Sequence, residues 1–77
     1  MHYVYLLKRF KSQSIYVGFT SDLRRRLAEH KRKYPCELIY YEAFRNEKDA
    51  RNRELKLKNF GSGLGHLKNR LQKSLQE

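Results

Sequence analysis

Apolar and polar positions fall into short runs whose period changes along the chain. Tyr3-Val4-Tyr5-Leu6-Leu7 is apolar at every position and rich in aromatic and β-branched residues. That pattern predicts a strand covered on both faces. Lys8 to Ser14 is polar and turn-like, and Ile15-Tyr16-Val17-Gly18 reads as a second short strand. Gly18 ends that strand or lets another group approach its backbone closely. Thr20, Ser21 and Asp22 are N-cap candidates for a helix over about Asp22 to Lys33. Leu23 and Leu27 lie on one face of it, and Tyr34-Pro35 ends it, because a residue before proline avoids the α region. Glu37 to Phe44, centred on Leu38-Ile39-Tyr40-Tyr41, is the third strand. A second helix starts at Asn46 or Glu47 and lasts to about Asn59. Gly61-Ser62-Gly63 is expected to break it before a last helix striped by Leu64, Leu67, Leu71 and Leu75.

The predicted order is β-β-α-β-α-α. The first two strands are close enough for a hairpin, and the third joins their sheet after a helix. The expected fold is therefore α/β (α+β), a small three-stranded sheet flanked by helices. At 77 residues the chain fits one domain, 1–77, which buries only about 60% of its unfolded surface. No apolar run approaches the roughly 18 residues of a membrane span. The start, Met1-His2-Tyr3-Val4-Tyr5, does not read as a signal peptide. One cysteine, Cys36, excludes an internal disulfide and fits a reducing cytoplasm.

Charge narrows the partner. Eighteen Lys and Arg face eight Asp and Glu, a formal net charge of +10. Such a field attracts polyanions, nucleic acid foremost. A basic protein on an anionic membrane is the competing class, disfavoured by the strand content.

Three groups of residues carry candidate chemistry. Tyr5 and Tyr16 share a sheet face if the hairpin loop has an even residue count. Two adjacent phenols can orient a water or accept its proton, or they are core aromatics with satisfied hydroxyls. Arg26 and His30, four apart, flank the apolar stripe of the first helix, where a guanidinium can grip a phosphate. Glu54 sits with Ala50 and Leu57 on one stripe of the second helix. A carboxylate there calls for a hard cation or for a salt bridge to Arg26 or another base. The remaining basic residues, Arg24, Arg25 and Lys31 on the first helix among them, can track a phosphate backbone or only solubilise the surface. His2, His30, His66 and Cys36 lack the spacing of a zinc site.

Taken together, Tyr3-Val4-Tyr5, Tyr16-Val17-Gly18, Arg26-x-x-x-His30 and a Glu on the next helix resemble the GIY-YIG nuclease family. The small stand-alone bacterial members are the most similar. Tyr3 stands where many members carry glycine, and Val4 and Val17 stand for isoleucines. The resemblance implies a metal-dependent endonuclease that hydrolyses DNA phosphodiester bonds in repair or recombination. The alternative is a non-catalytic nucleic-acid-binding module on the same scaffold. It implies catalytic roles for Tyr5, Tyr16, Arg26, His30 and Glu54, with Glu54 holding Mg²⁺ or Mn²⁺. DNA, including branched or flapped forms, is the implied substrate, and a homodimer or protein partner is an option. A further asparagine of some members has only Asn59 and Asn69 as candidates.

Overall fold

A computed structural model describes residues 1–12, 14–59 and 61–76, without the side chains of 59, 61–64, 66, 75 and 76. Its elements are β1 (His2–Arg9), β2 (Ile15–Thr20), α1 (Leu23–Lys33), β3 (Cys36–Phe44), α2 (Glu47–Asn59), α3 (Gly61–Arg70) and α4 (Gln72–Gln76). The strands form one antiparallel sheet in the order β2-β1-β3.

The all-apolar run explains why β1 is the central strand. Both its edges are hydrogen-bonded and both its faces are covered, so Val4, Tyr5, Leu6 and Leu7 are each only 1% exposed. Alternation along it feeds two cores. Val4 and Leu6 join Val17, Ala50, Leu57 and Leu67 on the face covered by α2 and α3. Tyr5 and Leu7 join Cys36 on the other face, packed by Leu23 and Leu27 of α1 and by Leu38.

The hairpin closes with Arg9 N–H donating to Ser14 O at 3.0 Å, leaving an even number of loop residues between them. Tyr5 is therefore opposite Gly18, and Leu7 opposite Tyr16. The β1–β3 ladder slips between Leu6 and Leu7, where Tyr40 and Leu38 are the successive partners. This bulge lets the consecutive Ile39 and Tyr40 both serve the α2 core while Leu38 serves the α1 core.

Helix ends follow local chemistry. The Asp22 carboxylate caps α1 by accepting from Arg25 N–H at 3.1 Å. Tyr34, before Pro35, is extended and ends the helix. The second helix ends at Asn59, as expected, but Gly61-Ser62-Gly63 open α3 rather than standing outside a helix, and a further interruption falls at Leu71, between α3 and α4. Of the final leucine stripe, Leu67 is buried and Leu71 packs against the same core. Leu64 and Leu75 lie outside the described side chains.

No described helix is long and apolar enough to cross a membrane.

Candidate active site

The sheet brings four aromatic and charged groups of the α1 face together. Tyr5 and Tyr16 do lie on one face, with ring centroids 6.2 Å apart. His30, on the inward side of α1 and 8% exposed, sits 5.8 Å from the Tyr5 ring and 5.0 Å from the Tyr16 ring. The Tyr5 hydroxyl and His30 Nε2 are 2.9 Å apart. Arg26, one turn before His30, lies beside the same phenol and acts on it. The hydroxyl can donate to a neutral imidazole at Nε2.

Gly18 makes this arrangement possible. The Tyr5 ring runs across its cross-strand partner, and β2 is an edge strand. A Cβ built on Gly18 would lie 2.8 Å from Tyr5 Cε2, and still nearer the ring's Cζ and hydroxyl. The backbone of Gly18 is not in the left-handed region, so the requirement is for space. An inner-strand tyrosine thus delivers its hydroxyl toward the open edge of the sheet.

Glu54 approaches from the α2 side. Its carboxylate is near enough to Tyr5 for its charge to act on the phenol. Ala50 and Leu57 are fully buried on the same stripe, and Glu54 is 16% exposed. Its observed partner is Lys58 Nζ at 3.1 Å, one turn along α2, rather than Arg26. Arg26 pairs instead with Glu29, whose Oε2 accepts from Nη1 at 3.0 Å.

The electrostatics follow from burial. Burial pushes the Tyr5 phenol above its ordinary range, and the hydrogen bond from Arg26 only partly offsets this. Burial also lowers His30, reinforced by the positive charges of Arg26, Arg9 and Lys33. His30 is accordingly a neutral acceptor near pH 7. The hydrogen bond from Arg26 holds the Glu29 carboxyl below the usual range.

The weaker nucleic-acid candidates are less concentrated. Arg24, Arg25 and Lys31 are all exposed on α1. Arg25 is tied to Glu29 at 3.3 Å, and Arg24 borders a cleft with Tyr3 and Tyr41.

Sequence reasoning missed two neighbours. Glu29 shares the Arg26 guanidinium, and its spacing three residues after Arg26 was a usable signal. Arg9 places its guanidinium 5.2 Å from the Tyr16 ring centre and 4.6 Å from that of Tyr34. Nothing local in the sequence marks that stacking, which depends on hairpin register and the exit of α1.

Among the described side chains, no three His, Cys, Asp or Glu gather to cage a metal ion.

Comparison with known proteins places the chain in a family. A UPF0213 protein of Clostridium perfringens is 39% identical, over 75% of this chain and 71% of its own. One from Oceanobacillus iheyensis is 38% identical over 74% and 76%, and one from Staphylococcus saprophyticus 32% identical over 77% and 82%. No solved structure matches. The profile of the GIY-YIG catalytic domain matches residues 1–62, a span that holds both tyrosine strands, α1 and the Glu54 helix, and the chain belongs to the GIY-YIG family.

Proposed function

We propose that this chain is a metal-dependent endonuclease that hydrolyses DNA phosphodiester bonds. The observation that carries the reading is the buried 2.9 Å contact between the Tyr5 hydroxyl and His30 Nε2, with Arg26 beside the same phenol. Tyr5 is a poor base alone, since its own proton is held tightly. Paired with a neutral His30 it becomes a relay. The phenol oxygen takes a proton from the attacking water as its own passes to Nε2. Tyr16, beside both rings, orients that water. Arg26, 46% exposed, meets the phosphate and offsets charge developing on its oxygens. Glu29 accepts from the guanidinium and holds it in place.

Glu54 fits a hard divalent cation. Mg²⁺ or Mn²⁺ is satisfied by one protein carboxylate with waters and substrate oxygens, and the Lys58 ammonium already marks a site for positive charge. When bound there, the cation would act as a Lewis acid on the phosphate.

Repair or recombination of branched or flapped DNA in the cytoplasm, with a second copy or a partner protein, is the setting we propose. The test is a metal-supplemented cleavage assay on plasmid, flap and branched substrates. Wild type is expected to nick and Glu54→Ala to lose at least about 100-fold, the lower end for a catalytic group of this kind. Equal background cutting by the two proteins ends the enzyme reading.

One observation favours a second reading. The Lys58 ion pair satisfies Glu54 without a metal, as in a non-catalytic nucleic-acid-binding module. That reading predicts salt-sensitive DNA binding indifferent to both metal and Glu54→Ala.

A further inference from the structure

A second cationic feature lies beside the first. Between the turn of the β1–β2 hairpin and the C-terminal end of α1 is a notch of about 360 Å³. Arg9, Lys11, Ser12, Lys33, Tyr34 and Pro35 line it. Three of the six are cations and none is a carboxylate. They come from separate elements: Arg9 ends β1, Lys11 lies in the turn and Lys33 ends α1. A helix C-terminus favours a nearby cation, which accounts for Lys33. It does not account for Arg9 and Lys11 facing the same space.

The walls of the notch are tied together. Arg9 N–H donates to Ser14 O at 3.0 Å, and Phe10 N–H donates to Pro35 O at 3.2 Å. The second bond fixes the hairpin against the segment leaving α1. The Arg9 guanidinium lies over the Tyr16 and Tyr34 rings, an arrangement in which a guanidinium keeps donors at its edge for an anion. Tyr16, on which Arg9 stacks, also borders His30, so one ring joins a notch-lining residue to the candidate active site. The charges of Arg9 and Lys33 are felt at His30 itself.

We propose that this notch is a second anion site, which holds a phosphodiester of the bound strand flanking the one presented to Tyr5, His30 and Arg26. The proposal rests on the nucleic-acid reading above, but not on cleavage. Its ligand is a backbone phosphate, gripped by Arg9 and neutralised by Lys11 and Lys33. The site sets which way the strand runs through the active centre.

Binding without catalysis tests it. A short fluorescent single-stranded oligonucleotide is titrated in EDTA with the full chain, across a salt series. Lys11→Gln/Lys33→Gln is compared with Lys48→Gln/Lys73→Gln, which removes the same charge from exposed positions on α2 and α4. The notch variant is expected to weaken binding about tenfold and to flatten the slope of log affinity against log salt by about 0.7, one phosphate contact's worth on a single strand. The control is expected to change affinity less than threefold, with the slope retained. Equal losses in the two variants overturn the proposal.

A second arm asks for one particular phosphate. Oligonucleotides with a single neutral methylphosphonate linkage, moved stepwise, should show one position that weakens wild type but not the notch variant. A uniform response at every position overturns the proposal. So does inorganic phosphate, at constant ionic strength, competing as strongly as the oligonucleotide, since that marks a free-anion site. Glu54→Ala is carried through the same titrations. If it binds like wild type yet neither protein cuts in the metal-supplemented assay, the nuclease reading fails while the notch stands.

Discussion

Gly18→Ala is the sharpest test of how the active centre is packed. The added methyl would fall inside the contact distance of the Tyr5 ring, 2.8 Å from Cε2 and nearer still to Cζ and the hydroxyl. The ring cannot swing away cheaply, because Tyr5 is 1% exposed, with Tyr16 and His30 beside it. Overpacking of this kind costs about 1–3 kcal/mol. Displacing the hydroxyl from His30 adds about 1 kcal/mol for the lost hydrogen bond. Against this, alanine is intrinsically better than glycine in a strand by roughly 0.5–1 kcal/mol. The net expectation is about 2–3 kcal/mol of destabilisation. A domain of this size has a total stability of about 4–12 kcal/mol, so the midpoint should fall by about 10 °C or more. The informative measurement is a cycle by urea denaturation, followed by circular dichroism. In a Tyr5→Leu background, stabilised with sulfate where needed, the clashing atoms are gone. Gly18→Ala should there be neutral or slightly stabilising, giving a coupling of about 2–4 kcal/mol. An equal cost in both backgrounds would refute the close-approach account and point to the strand itself.

Two further outcomes follow from the same structure. His30 has a lowered pKa in the fold, so the unfolded chain takes up its proton first as pH falls. Its contribution to stability is complete above about pH 6.5, the unfolded value, and is lost progressively below it. Urea midpoints between pH 7.5 and pH 5 should drop for wild type and drop less for His30→Gln, and parallel profiles would contradict the assignment. The second concerns Glu42 on β3, which accepts from Arg53 of α2 at 3.0–3.2 Å and from the Tyr40 hydroxyl at 2.9 Å. Removing Arg53 alone strands a part-buried carboxylate, so Arg53→Met should cost about 2 kcal/mol in denaturation. In Arg53→Met/Glu42→Gln much of that should return, and strict additivity would argue against the coupling.

Much of this architecture was legible because its signals are local or periodic. The all-apolar run of β1 announced coverage on both faces, and the Ala50-Glu54-Leu57 spacing placed a carboxylate on a buried stripe. Loop parity correctly put Tyr5 and Tyr16 on one side of the sheet. The misses have a different character. Gly61-Ser62-Gly63 reads as a breaker by propensity, yet it opens α3, a helix that packs Leu67 into the core. That burial holds the Tyr5 phenol above its ordinary range despite Arg26 depends on how the two faces of the sheet are covered, which no local signal gives. Glu54 pairs with Lys58, four residues on, rather than with Arg26, and Arg51, three residues back, was an equally local candidate. Arg9 escaped notice because its partners, Tyr16 and Tyr34, come together only after the hairpin and α1 are both in place.

The position of Tyr5 on the central strand has a dynamic consequence. The amides of β1 are bonded on both sides and shielded on both faces, so they should exchange hydrogen only when the whole sheet opens. The phenol therefore has no partial-unfolding route away from its post, and its placement is as durable as the fold. Arg26 and Glu29 lie on a solvent-facing part of α1 and can rearrange on much shorter timescales. Under the proposed function, the site would combine a phenol as durable as the sheet with a guanidinium whose surface ion pair can exchange Glu29 for a phosphate.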